Sequence, residues 1–404
     1  MPGSQTHQYL TKIALSLAAP EKDCGKLIEE YCLYPDIYFG HPKDLSPYFF
    51  STDGVQFHYL PDTPYNELYR YWETGPDGHL RRVKPYRNEN FRHAKNGFSH
   101  YLTKAVECLR VGEEEEGKKF LGCLLHMLED SAFGIHSIEG PGGVDIYALD
   151  RLSNSPLTPT DILKKLSCAG LPAPVYRPRL LGDSVEEAVM RLYATYVRAV
   201  SDSRKCCFQI VVNTLNENEE ANPSLLQRMF ENAVKLCADT AATVFSLAEE
   251  RVHAEKIRLL TELEPYEFPL GGFGPYAFRT HQIDFAYDLN GKQIPLKLTG
   301  KNGVLEFRHG ISFGTHFEGN LLYWLAPGTF RSFSCSLGIH PEGAAEGEVR
   351  MEVISNGAVV AACALDRTTP AVDVAVPYPE NDFGFRMRCK KLCGIIVIGK
   401  PFFS

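Results

Sequence analysis

The sequence contains no run of about eighteen uncharged apolar residues, the length a membrane-spanning helix requires, so it offers no transmembrane segment. It also lacks an excess of positive charge. Lys and Arg total 42 against 50 Asp and Glu, a net charge of −8. Grip on a long nucleic-acid backbone comes from clustered Lys and Arg, so that role is excluded as the main one. No basic leader is present: Lys12 interrupts the apolar stretch in MPGSQTHQYLTKIALSLAAP, and no cleavage site follows it. The stretch is therefore expected to be the first helix of a cytoplasmic protein, not an export signal. The cysteines form no regular framework, and reduced thiols are expected. Cys206–Cys207 and the Cys389/Cys393 pair match no zinc-knuckle spacing.

What is present is ordinary for a globular protein: 44% apolar and 23% charged residues over 404 positions. That length predicts two domains. Apolar residues recur every three or four positions in 6–18, 90–110, 116–131, 185–214 and 224–260, which predicts an all-α domain over 1–262. Glu113–Glu116 place negative charge at the start of the third of these helices. Segments 34–62 and 137–160 are rich in Pro, Gly and Asp and read as long loops, the places where function concentrates. The stretch LEPYEFPLGGFGP, 263–275, reads as a linker. Beyond it, over 276–404, strands are expected at 304–308, 348–353, 372–376 and 395–398. Asn356-Gly357 signals a hairpin. Short strands separated by turns predict an all-β jelly-roll sandwich.

One stretch stands out: HMLEDSAFGIHS, His126–Ser137. His126 and Asp130, four apart, share a helical face, where an imidazole and a carboxylate can hold one metal ion. His136 follows just past the expected helix end. His7 lies in the first helix, Asp36 in LYPDIY after a proline that predicts a non-helical approach, and His58 in FHYLPDTP. Imidazoles and carboxylates brought from several segments are what a centre of neighbouring ions needs. His93 and His100 share a helix, and lone helical histidines are mostly structural. His41 and His79 read as surface loop residues. The basic strip Arg81-Arg82-Val83-Lys84-Pro85-Tyr86-Arg87 reads as a solvated loop, with contact to a phosphate-bearing substrate as the alternative.

These residues resemble the zinc-dependent phospholipase C and single-strand nuclease superfamily, in four short motifs within about 1–140. The resemblance implies an all-α fold with a zinc cluster. By it His7 binds one zinc with the chain-terminal amine, Asp130 bridges two zincs, and His58 and His126 complete the second. Asp36 binds or orients the attacking water, and His136 belongs to a third zinc. The chain departs from the family in two ways. No histidine lies between His136 and His253, so the third ion lacks its downstream histidine–carboxylate pair, and about two zinc ions are expected. Glu249 and His253 stand in reverse order and read as an exposed helix face, and only Glu139 and Asp145 lie near His136. The chain also begins Met-Pro-Gly where relatives expose a tryptophan.

Residues 303–400, with His316, Tyr323, Trp324 and a Gly-x-Val strand, resemble the NPCBM type of carbohydrate-binding module, a galactose-binding-like jelly roll. That makes a glycan a second expected partner, with Trp324 as a stacking candidate against a core role. The combined reading is a zinc-dependent, phospholipase C-like phosphoester hydrolase with Asp36 as catalytic residue. Its substrate would be a small phosphodiester or a phospholipid headgroup. The alternatives are a catalytically decayed carbohydrate-binding protein and a single-strand nuclease.

Overall fold

In the computed structural model the described residues are 3–38, 51–52, 55–56, 72–74, 80–82, 87–138, 150–151, 156–251, 254–269, 272–343 and 345–404. The chain divides into two compact units, Met1–Glu255 and Lys256–Ser404.

The first unit is helical: α1 (Ser4–Ala18), α2 (Gly25–Glu29), α3 (Tyr34–Tyr38), α4 (Arg87–Arg110), α5 (Glu114–Ala132), α6 (Pro159–Lys164), α7 (Val185–Leu215) and α8 (Asn222–Ala248). Its strands are short: β1 (Ser51–Thr52) pairs with β2 (Val55–Gln56), and β3 (Trp72–Thr74) with β4 (Leu80–Arg82). Part of the basic strip is thus strand, not loop. The centre is α5, in which every residue from Phe120 to Ala132 is buried. A helix with no exposed face must be surrounded, and α1, α4, α7, α8 and the turn Tyr31–Leu33 all pack on it. Glu114, Glu115 and Glu116 occupy its first turn, where the helix dipole favours negative charge. No described helix is long and apolar enough to cross a membrane.

Two local expectations are corrected. The periodic pattern over 224–260 predicts one helix, but α8 stops at Ala248. Glu250 turns left-handed at φ 55°, and the Arg251 amide closes back onto the Ser246 carbonyl at 3.1 Å, which ends the helix. The apolar residues that prolonged the pattern, Ile257 and Leu260, are buried residues of the second unit. The second correction concerns Asp36, which lies on the short helix α3 despite Pro35. Pro35 falls in the first turn, where a missing N–H breaks no helical bond.

The second unit is antiparallel β. Its strands are β5 (Gln282–Ile283), β6 (Ala286–Tyr287), β7 (Gln293–Ile294), β8 (Leu296–Gly300), β9 (Gly303–Phe307), β10 (Gly310–Gly314) and β11 (Glu318–Leu325). β12 (Ser332–Ile339), β13 (Val349–Ser355), β14 (Ala358–Leu365), β15 (Val372–Pro377), β16 (Asn381–Cys389) and β17 (Ile395–Phe403) follow. A five-stranded sheet runs β15-β12-β17-β10-β5 and a four-stranded sheet β11-β16-β13-β14. Phe333 of the first sheet meets Phe383 and Phe385 of the second at ring distances of 4.8 and 6.3 Å, so the two pack face to face. Asn356 (φ 50°) and Gly357 (φ 73°) form the tight turn between β13 and β14. The stretch 263–275 lies within this unit; Tyr266 and Phe268 are buried, and the Tyr266 amide donates to the Leu322 carbonyl at 2.8 Å.

Candidate metal centre

Two helices and two short segments bring the polar groups together. On α5, Gly122, His126 and Asp130 follow one another at four-residue steps and so share one face. On α1, His7 and Thr11 do the same. Asp36 comes from α3. After α5 ends, Gly134 adopts φ 83° and ψ −147°, a conformation open only to glycine, and turns the chain into the single helical turn Ile135–Ser137 that carries His136.

The geometry centres on Asp130. His7 Nε2 lies 3.3 Å from Asp130 Oδ1, and His126 Nε2 lies 3.3 Å from Asp130 Oδ2. His136 Nε2 stands 3.8 Å from Asp130 Oδ1, and Asp36 Oδ1 stands 3.8 Å from His126 Nε2. The His7 and His126 rings stack with centroids 3.9 Å apart. One ligand atom from each of His7, Asp36 and His126 lies within 4.8 Å of the other two. Behind the rings, His7 Nδ1 is 2.9 Å from Glu129 Oε2, and the Thr11 hydroxyl donates to Glu129 Oε1 at 2.6 Å. His126 Nδ1 is 2.6 Å from the Cys32 carbonyl oxygen. A carbonyl only accepts, so His126 donates to it through Nδ1, and its Nε2 is left facing Asp130.

The electrostatics follow from burial and these contacts. Burial alone would lower the pKa of His7, but the Asp130 and Glu129 carboxylates outweigh it and push His7 up to about 10. Burial would likewise raise Asp130; facing His136 and His126 hold it well below its ordinary value instead. Burial does raise Glu129, with the His7 contact opposing the shift. The cluster thus calls for positive charge at its centre. A buried His7 Nε2 without a hydrogen-bond partner, beside a carboxylate, fits a cation between them. Imidazole nitrogens and carboxylate oxygens are a donor set suited to zinc.

Five of the six residues expected at the site, His7, Asp36, His126, Asp130 and His136, are brought together. His58 lies outside the described residues, as do His41, His79, Glu139, Asp145, His253, the chain terminus and residues 83–86 of the basic strip. His100 packs edge-on against Tyr101 and Phe120 at 5.2 and 6.0 Å, and burial lowers its pKa. Cys389 donates to the His316 carbonyl at 3.1 Å. Sequence reasoning missed Glu129, Thr11 and the Cys32 carbonyl. The first two left a faint signal: Glu129 adjoins Asp130, and Thr11 is one helical turn from His7.

No protein-family model matches the chain, and no curated protein matches it. Some solved structures are similar. Alpha toxin from Clostridium absonum is 10% identical over 99% of this chain and 94% of that one, with a TM-score of 0.32. The CBM51 of Clostridium perfringens GH95, in complex with methyl-galactose, is 20% identical over 36% of this chain and 98% of its own, with a TM-score of 0.29. The CBM51-2 and INT domains of Clostridium perfringens ZmpB, in complex with GlcNAc, are 15% identical with a TM-score of 0.29; 36% of this chain spans 31% of theirs. Likenesses of this depth bear on neither activity nor ligand.

Proposed function

We propose that the helical unit is a zinc-dependent phosphoester hydrolase of the phospholipase C kind, acting on a small phosphodiester or a phospholipid headgroup. One observation carries this reading: the Nε2 atoms of three imidazoles gather on the two oxygens of a single buried carboxylate, Asp130. Oδ1 faces His7 and His136 while Oδ2 faces His126, so Asp130 can serve two ion positions. His7, His126, Asp130, His136 and Asp36 would hold the zinc, with His58 as a further proposed ligand. Zinc, when bound, supplies positive charge for phosphate oxygens and makes a water more acidic.

The chain's own residues divide the remaining work. His7 and His126 are fully buried and Asp130 nearly so, which supports a role for them as holders of charge. Asp36 differs, because its side chain is 25% exposed. It would take the proton of the attacking water as the new oxygen–phosphorus bond forms and the bond to the leaving oxygen breaks, and that proton would then pass to the departing alkoxide. In the second unit, Trp324 is half-buried next to fully buried Tyr323 on β11. That partial exposure supports a glycan-binding role for the sandwich beside the hydrolase.

Metal analysis and turnover of a chromogenic phosphodiester test the proposal together. About two equivalents of zinc and chelator-sensitive turnover are expected. Absence of zinc would leave the sugar-binding protein as the better reading. Salt-sensitive binding and cleavage of single strands would instead favour the nuclease.

A further inference from the structure

We infer that Glu129 and Thr11 are positioning residues that make the His7 side of the centre its tighter ion position, so that zinc loads there before it loads at His126. This rests on the zinc reading above. The two imidazoles face Asp130 alike, each with Nε2 at 3.3 Å from its own oxygen. What stands behind them differs. The Nδ1 of His7 meets a carboxylate, Glu129 Oε2, at 2.9 Å. The other oxygen of Glu129 is held by the Thr11 hydroxyl at 2.6 Å, so the carboxylate cannot swing away. The Nδ1 of His126 meets a neutral carbonyl, that of Cys32, at 2.6 Å.

A carboxylate draws the Nδ1 proton more strongly than a carbonyl does, which leaves more electron density on Nε2 and makes that nitrogen the better donor. Enclosure acts in the same direction. His7, Thr11 and Glu129 are all 0% exposed, whereas Asp36, on the His126 side, opens to solvent. A carboxylate buried this deeply is costly to keep unless its partners use it. Both of its oxygens are used, one to aim the imidazole and one to lock the aim.

The test is a titration of metal-free protein with zinc against a competing chelator, on wild type, Glu129→Gln, Thr11→Val and Thr11→Ser. Wild type should show two affinity classes. Glu129→Gln should weaken the tighter one by about 10–100-fold and the weaker one by less than roughly threefold. Thr11→Val should shift the tighter class in the same direction by a smaller factor, and Thr11→Ser, which keeps the hydroxyl, should restore it. Nitrogen-resolved NMR of the metal-free protein gives a readout independent of zinc. A far-downfield His7 Nδ1–H resonance is expected in wild type and should move upfield in Glu129→Gln. An unchanged tighter class in Glu129→Gln, or equal weakening of both classes, overturns the inference. If Glu129→Gln does not fold, the Thr11 pair decides by the same criterion. Wild type with two ions of one affinity sinks the loading order alone, while wild type without zinc sinks the proposed function as well.

Discussion

Gly122 lies directly beneath Tyr31: a Cβ on Gly122 would stand 2.7 Å from the Tyr31 carbonyl carbon and 2.8 Å from its oxygen. This contact sets the site one turn later, because the backbone that rests on Gly122 continues to Cys32, whose carbonyl holds His126, and to Asp36. Backbone cannot yield as a flexible side chain can. We predict that Gly122→Ala destabilises the helical unit by about 1–3 kcal/mol. It should also weaken zinc binding while Glu129 and His7 keep their contact. Denaturant unfolding and a zinc titration check this; wild-type values in both would show that the segment is free to move.

Asp130 and His126 tie α5 to α1 and α3, so their removal should affect ion and fold together. We predict that Asp130→Ala and His126→Ala each lower zinc content and reduce the thermal midpoint by roughly 5 °C or more, at about 2–4 °C per kcal/mol. Removing zinc from wild type with a chelator should shift the midpoint in the same direction. Full zinc occupancy in both variants would dismiss these two as ligands.

Local chemistry was the legible part of this sequence. A histidine and an aspartate four apart on an apolar helix share a face whatever the rest of the fold does, and His126 and Asp130 were readable for that reason. Asn356-Gly357 was readable because a two-residue turn with positive φ at both positions selects those residue types. Glu129 was not, since its partner His7 is 122 residues away and only the packing of α1 on α5 joins them. The end of α8 was hidden too: Glu250 adopts a left-handed conformation that its residue type does not announce. The sequence points Asp36 to the site but not to its helix, because a proline in a first turn and a proline in a loop look alike in sequence.

The sandwich carries a pH-dependent element of its own. Asp366 Oδ1 accepts from the amides and hydroxyls of Thr368 and Thr369 at 2.7–2.8 Å, and these bonds hold its pKa down to about 2 from an ordinary 3.8. A carboxyl depressed in the folded state stabilises it fully above the unfolded value and loses that contribution as pH falls through the folded value. We predict that Asp366→Asn is less stable than wild type near neutral pH and that the difference vanishes as the pH drops from 3.8 toward 2. Urea unfolding across that range is the check, and a difference independent of pH would argue against the turn as its source.

Asp36 is the carboxylate in the cluster with access to solvent, at 25% exposure against 5% for Asp130. Asparagine has nearly the same shape and still accepts a hydrogen bond, but its amide takes no proton from water at neutral pH. We therefore predict that Asp36→Asn keeps the fold and loses hydrolysis of a chromogenic phosphodiester, with kcat lower by about a hundredfold or more, the range expected for a lost general base. Loss of a zinc ligand would mimic this result, so zinc content must be measured on the same sample. A fall in kcat with zinc retained assigns Asp36 to proton transfer, and a fall in both assigns it to holding the ion. Turnover equal to wild type would remove Asp36 from the mechanism altogether.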